Sequence, residues 1–274
     1  LTASTLMFSS FIGFDAIAQT GNEAKNPTKN IPKAILLAIF IVSLYYILFT
    51  ISVYNIIPWN FVADEALTKD ITAPGLLSYV LPPFWGILII IGAAIALIND
   101  LPAMILSVSR LMFAWSKDNI FPEKISEIHP KFNTPHRAII YVGVVASIGA
   151  FGSHFAGDFF LGIDIMVTSM MINFLLMCIT LLTIKRVNPV LYNNINIVKN
   201  RALQLLIGYL GSFIIFIFLV IHTFKDLSSN VDEWYFHSTY IYLIVMILAS
   251  LYFVIRLNRV KTKNIDTFKE LPLE

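Results

Sequence analysis

Apolar residues along this chain fall in long, nearly unbroken runs separated by short polar stretches. A bilayer hydrocarbon core of ~30 Å needs about 20 mainly apolar residues in a helix, and seven segments reach that length. They run from about Leu1 to Gln19, Pro32 to Ile57, Pro83 to Trp115, Pro135 to His154, Gly157 to Ile184, Ala202 to Phe224 and Trp234 to Ile255. Pro32 suits the first turn of its helix, where a missing N–H costs nothing. The third run is longer than one perpendicular crossing, so it must tilt, kink or protrude, with Pro102 the natural place for a kink. The stretch Pro58 to Pro82 is too polar to cross, and its "APGLLSYVLPPF" reads as a short re-entrant or surface helix. Trp59, Trp85, Trp115 and Trp234 fall at span ends, as interfacial aromatics should.

Composition agrees. Of 274 residues, 57% are hydrophobic and 13% charged, against about a quarter charged in a soluble domain. The predicted class is an all-α integral membrane protein with seven transmembrane helices. If the loop after the first helix faces the cytoplasm, every Lys and Arg of the chain's 19 except Lys69 and Lys225 lies on that side, including Arg256, Arg259, Lys261, Lys263 and Lys269 near the end. That asymmetry orients the chain with a cytoplasmic carboxy terminus. A net charge of +2 gives no argument for nucleic acid as a partner. The single Cys178 permits no internal disulfide and no Cys/His metal spacing. No GxSxG, HExxH, Walker A or GxGxxG pattern occurs, so neither covalent catalysis nor a metal or nucleotide cofactor is expected. Seven helices with an outside amino end superficially suggest a receptor, but the last helix holds no lysine for a retinal Schiff base.

The informative residues are the polar ones inside the runs. Asp15 lies ten residues before Lys25, ~15 Å from the boundary along a straight helix. A carboxylate near the midplane costs several kcal/mol unless it is neutral, paired or wet, so it is a functional candidate. Gly13 weakens the helix, and Ser9 and Ser10 can satisfy freed backbone groups. Two readings stay open: a broken helix exposed to a cavity, or close helix packing at Gly13 with Asp15 in an interfacial region. Asn99, Asp100 and Pro102 sit midway along the long third run, where they line an aqueous path or reinforce a kink. Asp164 lies roughly 10 Å deep by helical rise, within reach of outer water. Thr168, Ser169 and Asn173 read as interhelical hydrogen-bonding groups. His154 and His222, at span ends, are expected to be solvated.

With those residues in hand, "FIGFDAIAQTGNEAKNPTKNIPKAI" (11–35) resembles the sixth helix and following loop of amino acid permeases in the amino acid-polyamine-organocation superfamily. "SVSRLMFAWSKDNIFPEKISEIHPKFNTPHRAI" (107–139) resembles the end of that family's eighth helix, its cytoplasmic segment and the start of its ninth. The resemblance covers essentially the whole chain, as helices six to twelve of twelve. It implies the second half of a five-plus-five inverted repeat over 1–184, two trailing helices over 185–256 and a cytoplasmic tail over 257–274. The chain starts at Leu, inside what reads as a helix, so a fragment is expected, with the first five helices of the same protein as a missing partner.

The resemblance further implies a secondary transporter moving amino acids by alternating access, by proton-coupled symport or exchange, in the cytoplasmic membrane. The family's first and sixth helices unwind at mid-membrane and bind the substrate's carboxylate and amino groups through exposed backbone. The matching break here falls at Ser10 to Phe14, around Gly13, with Ser9, Ser10, Phe11, Ile12 and Gly13 as the substrate-contact segment and Phe8 or Phe11 as an aromatic gate. Asp15 matches a position that is acidic in some members and implicated there in proton sensing; Asp100 and Asp164 are the further proton-coupling candidates. The first five helices would hold the other half of the site and a basic residue that can replace a sodium ion. A polyamine or organic-cation carrier, or a non-transporting membrane sensor on the same scaffold, are the competing expectations.

Overall fold

The computed structural model describes residues 7–19, 21, 24–66, 73–156, 159–193, 195, 197–229 and 234–261. The opening of the first run, Lys69 and the tail beyond Lys261 lie outside the described residues. Every regular element among them is helical: α1 (Ala16–Gln19), α2 (Pro27–Ile56), α3 (Trp59–Ala66), α4 (Ala73–Ser78), α5 (Pro83–Lys117), α6 (His136–Ala156), α7 (Phe159–Val187), α8 (Pro189–Asn193), α9 (Arg201–Leu227) and α10 (Ser238–Lys261), with 3-10 turns at Glu123–Ser126 and Trp234–Phe236. Six of these, α2, α5, α6, α7, α9 and α10, are long and apolar enough to cross a membrane. They answer to six of the seven apolar runs. The first run is not one continuous helix: residues 7–9 are helical, 10–15 are turns, and α1 follows. Between α2 and α5, the two short helices α3 and α4 occupy the stretch too polar to cross.

Helix is the only open-chain way to satisfy every backbone group in lipid. The polar side chains within the spans follow the same rule. Ser43, Ser52, Ser147 and Thr180 each donate a hydroxyl to the carbonyl four residues earlier, at 2.7–2.8 Å, which hides the hydroxyl without leaving the helix. α2 begins at Pro27 rather than Pro32. Pro27 takes the first-turn position where a proline is harmless, so Pro32 lies inside the helix and removes one hydrogen bond, to Thr28. α5 runs unbroken for 35 residues through Pro102, a length of ~52 Å at 1.5 Å per residue.

The burial pattern is the reverse of a soluble protein's. Leu36, Phe40, Leu97, Ile148 and Phe213 are more than half exposed, whereas Ser107, Ser109, Gln204, His222 and Ser238 are buried. Acyl chains solvate leucine as well as another helix does, so contacts between spans are built from small and hydrogen-bonding residues. The α7–α9 pair, the most extensive of these contacts, shows both. A Cβ placed on Gly208 would lie 2.5 Å from Leu182 Cδ2, and one on Gly211 would lie 3.0 Å from Cys178 Sγ. Near the other end, His222 is buried against Thr168 of α7, with its Nε2 3.0 Å from the hydroxyl. The expectation that His222 is solvated is therefore wrong: the facing Thr168 supplies a partner that position along the chain does not reveal.

Charged groups lock the helix ends. Arg201, at the start of α9, donates to the carbonyls of Leu181 (3.1 Å) and Leu182 (2.6 Å) of α7 and to Gln204 Oε1 (3.0 Å). At the far end of α9, the Asp226 carboxylate accepts the N–H groups of Ser238 (3.0 Å) and Thr239 (2.9 Å). It thereby caps the first turn of α10, a favourable place for negative charge. Arg256, near the end of α10, donates to the carbonyls of Asn119 (3.2 Å) and Phe121 (3.4 Å) in the segment after α5.

Gly208→Leu should force α9 away from α7, since the nearest atoms are already inside contact distance of a single added carbon. We expect the thermal midpoint of the detergent-solubilised protein to fall by several degrees, with Gly208→Ala intermediate. Equal midpoints for all three would show that this crossing is not close-packed. Asp226→Ala should cost ~1 kcal/mol, the usual loss for a missing helix cap, and speed amide exchange selectively over residues 237–241; unchanged exchange there would refute the cap.

Candidate functional site

Around the interruption the backbone hydrogen bonds tighten from the α pattern to bonds spanning three residues. Ser10 N–H donates to Met7 O (3.1 Å), Phe11 to Phe8 (3.1 Å) and Ile12 to Ser9 (3.2 Å); beyond it Ala16 donates to Gly13 (3.1 Å), Ile17 to Phe14 (3.3 Å) and Ala18 to Asp15 (2.9 Å). Between the two sets, the N–H groups of Phe14 and Asp15 meet no backbone acceptor among the described residues. Gly13 has φ +128°, a conformation that only glycine adopts without strain. Its N–H donates to the carboxylate of Asp15, Oδ1 at 3.1 Å. The break is therefore a feature of sequence as well as of geometry, with glycine at the one position that demands it and an acid two residues on that takes up a freed donor.

Three spans surround this segment. From α2, Tyr46 donates its hydroxyl to the Ser10 carbonyl at 2.8 Å and packs edge-on against Phe11, ring centroids 5.4 Å apart. From α7, Phe174 takes Phe8 edge-on at 5.9 Å and stacks on Phe14 at 5.5 Å. From α5, Met104 Cε would lie 3.8 Å from a Cβ on Gly13, and the Ser107 hydroxyl donates to Gln19 Oε1 of α1. Phe8, Ser9, Phe11, Ile12, Gly13, Phe14 and Asp15 are half-buried, while Ser10 is exposed. A segment held by aromatic contacts on two sides, with donors and acceptors released from the helix ladder, can present backbone N–H and C=O groups to a zwitterion. Among the described residues no group of three or more His, Cys, Asp or Glu could hold a metal ion.

The three acids separate. Asp15 belongs to the break. Asp100 lies one helical turn from Met104 on the stretch of α5 from Ile91 to Met104, all of which is exposed. Met104 of the same stretch approaches the break, while Asp100 itself is exposed. Asp164 stands ten residues before Phe174 on α7, ~15 Å away along the axis. Its carbonyl accepts the Thr168 hydroxyl at 2.9 Å, and Thr168 meets His222. Through its backbone carbonyl Asp164 thus borders the Thr168–His222 contact between α7 and α9.

The profile described as Amino acid permease matches residues 2–265. The chain belongs to this family. It is 30% identical over 150 residues to the branched-chain amino acid permease BcaP of Bacillus subtilis, an alignment covering 54% of this chain and 31% of that protein. It is also 29% identical over 154 residues to the vacuolar cationic amino acid transporter 4 of Arabidopsis thaliana, 55% of this chain and 24% of that protein. A similar 30% over 147 residues links it to a methylthioribose transporter of Bacillus subtilis, 54% of this chain and 31% of that one. The chain spans about a third or less of the length of these curated relatives. No solved structure matches. As a permease-family chain with six membrane-length helices, it is an integral membrane protein.

Tyr46, Met104, Ser107 and Phe174 are the site-lining residues that the sequence leaves unmarked. In α2, Tyr46 follows Tyr45 and looks like any interfacial or lipid-facing aromatic; in α7, Phe174 is one of 22 phenylalanines. Only the packing of three spans on the break picks them out. Tyr46→Phe should leave the Ser10 carbonyl without its donor and cost ~0.5–1.5 kcal/mol, the usual net worth of one hydrogen bond. The thermal midpoint of Tyr46→Phe should accordingly drop, whereas Tyr45→Phe should match the parent; equal midpoints would remove Tyr46 from the site.

Proposed function

We propose that the chain is the second half of a secondary transporter that moves amino acids across the cytoplasmic membrane by alternating access. Residues 1–184 form the second inverted repeat, 185–256 the two trailing helices and 257–274 a cytoplasmic tail, with five preceding helices of the same protein completing the binding site. The observation that carries this reading is the interruption at Gly13: φ of +128°, two adjacent amides without backbone acceptors, and Tyr46, Met104 and Phe174 closing around it. Freed amides suit a substrate carboxylate and freed carbonyls suit an ammonium group. Phe8 or Phe11 serves as the aromatic gate, and Ser9, Ser10, Ile12 and Phe14 complete the contact segment.

Asp15 is the proposed proton-coupling group. Its carboxylate already holds the Gly13 N–H, so a change in its charge alters the backbone that the substrate uses. Coupling is symport or exchange, with Asp100 and Asp164 as secondary groups. Asp100 supports a completing half in another way: a mid-span carboxylate against acyl chains costs several kcal/mol, so the exposed face of α5 is best matched by protein or water. The same two acids favour a second reading, a polyamine or organic-cation carrier, since acids within the spans suit a cationic ligand.

The deciding experiment is uptake of radiolabelled leucine and lysine into proteoliposomes holding the natively produced protein, with putrescine as competitor. Saturable uptake of either amino acid supports the permease reading; competition by putrescine at least as strong as that by amino acids favours the cation carrier. Binding without flux favours a sensor on this scaffold. Gly13→Val should abolish substrate binding while membrane insertion persists, and unchanged affinity would dismiss the site. Asp15→Asn should flatten the pH dependence of uptake; an unaltered profile would exclude Asp15 from coupling.

A further inference from the structure

A cavity of about 610 Å³ lies between the end of α5, the segment after it, the first turns of α6 and the middle of α10. It lies about three turns along α10 from the Asp226 cap and shares no residue with the Gly13 site. Trp115, Phe121, Ile125, Tyr141, Tyr252 and Phe253 line it. Its back wall is built. Phe121 and Ile125 pack on the buried cluster Met112, Ala138 and Val142, Trp115 stacks on Phe121 at 5.9 Å, and Phe121 meets Tyr252 at 5.5 Å. Its front is open, with Trp115, Tyr141, Tyr252 and Phe253 each between 38% and 45% exposed. The volume falls within the range of about 300–1,000 Å³ typical of small-ligand sites.

The segments that carry the lining residues are basic. One turn beyond Tyr252, the Arg256 guanidinium is tied to the carbonyls of Asn119 and Phe121 and so is held against the cavity wall. Arg259 follows on α10, Lys117 sits with its Nζ over the Phe113 ring at 5.7 Å, and Lys124 lies on the 3-10 turn. Asp118 and Glu123 are the carboxylates of the same segment, while Glu127 is paired with Arg137 at 2.8 Å. In these segments Lys117, Lys124, Arg137, Arg256 and Arg259 outnumber Asp118, Glu123 and Glu127, beside an aromatic hollow set where spans leave the hydrocarbon. The apolar interior suits an acyl chain, and Arg256, tied to the Phe121 carbonyl of its wall, supplies a cation beside it for an anionic group. Basic pockets between spans at this depth suit anionic head groups.

We propose that this cavity binds one anionic phospholipid, an acyl chain lying along Trp115, Phe121 and Tyr252 and the phosphate at Arg256. The bound lipid would tie α10 to the segment joining α5 and α6, the same two elements that Arg256 already bridges.

Trp115 reports on its own site. In a Trp59→Phe, Trp85→Phe, Trp234→Phe background of the full chain, Trp115 fluorescence is titrated with dibrominated phosphatidylglycerol and with dibrominated phosphatidylcholine of the same chain length in mixed micelles. Quenching is expected to half-saturate at a phosphatidylglycerol fraction at least fivefold lower than for phosphatidylcholine. Arg256→Gln should reduce that preference to less than twofold. Arg256→Lys, which keeps the charge should the glutamine variant fold poorly, should retain most of it. Ala249→Phe, on the α10 side of the cavity, should suppress quenching by both lipids. Equal quenching by the two lipids in the parent overturns the proposal, as does full quenching in Ala249→Phe. A lipid-independent, concentration-dependent blue shift of Trp115 also overturns it, because a second copy of the chain would then be what covers the hollow.

Discussion

The constraint on which everything else depends is that a backbone amide in hydrocarbon must find an acceptor within the protein. In lipid an unsatisfied group costs several kcal/mol, and water cannot make up the loss. Long apolar helices are the general solution, and the serine and threonine hydroxyls folded back onto carbonyls four residues earlier extend it to side chains. An interruption of such a helix is therefore conspicuous. At Gly13 the chain leaves the ladder; the Gly13 N–H is taken up locally by the Asp15 carboxylate and the Ser10 carbonyl remotely by the Tyr46 hydroxyl, while the N–H groups of Phe14 and Asp15 meet no backbone acceptor among the described residues.

The same constraint explains how the spans adhere. With no hydrophobic gain from joining two greasy helices in a greasy solvent, contact is made by closeness and by polar pairing. α7 and α9 show the two devices side by side, Gly208 and Gly211 admitting Leu182 and Cys178, and Thr168 meeting His222. At the membrane boundaries, where water returns, full charges take over. Arg201, Asp226 and Arg256 each bind backbone groups of a neighbouring element rather than an opposite charge. Charge-to-backbone bonds of this kind satisfy helix ends and fix the helices to one another in one step.

These fixings give the break its surroundings. α1 and the turn before it would be a loose peptide alone; held between α2, α5 and α7 they become a shaped surface with aromatic walls. Polarity in the middle of a span is tolerated where such a surface meets substrate or water, and Asp15 stands at that junction.

Sequence by itself determined the placement of the long apolar segments and the separation of basic from non-basic ends, and left the interruption at Gly13 as one of two readings between which the backbone geometry decided. Each depends on composition over a window, which is a local property. It also placed the polar α3 and α4 stretch outside the crossing set. The start of α2 was misplaced by five residues because two prolines compete for the first turn, and the nearer one to the polar loop prevails. Only the tertiary structure decided that His222 is buried, that Tyr46 and Phe174 rather than their many like neighbours touch the break, and that Asp164 stands apart from Asp15. Those facts depend on which faces of separate helices meet. In a membrane the faces differ little in hydrophobicity, so periodicity along one helix carries no record of its partner.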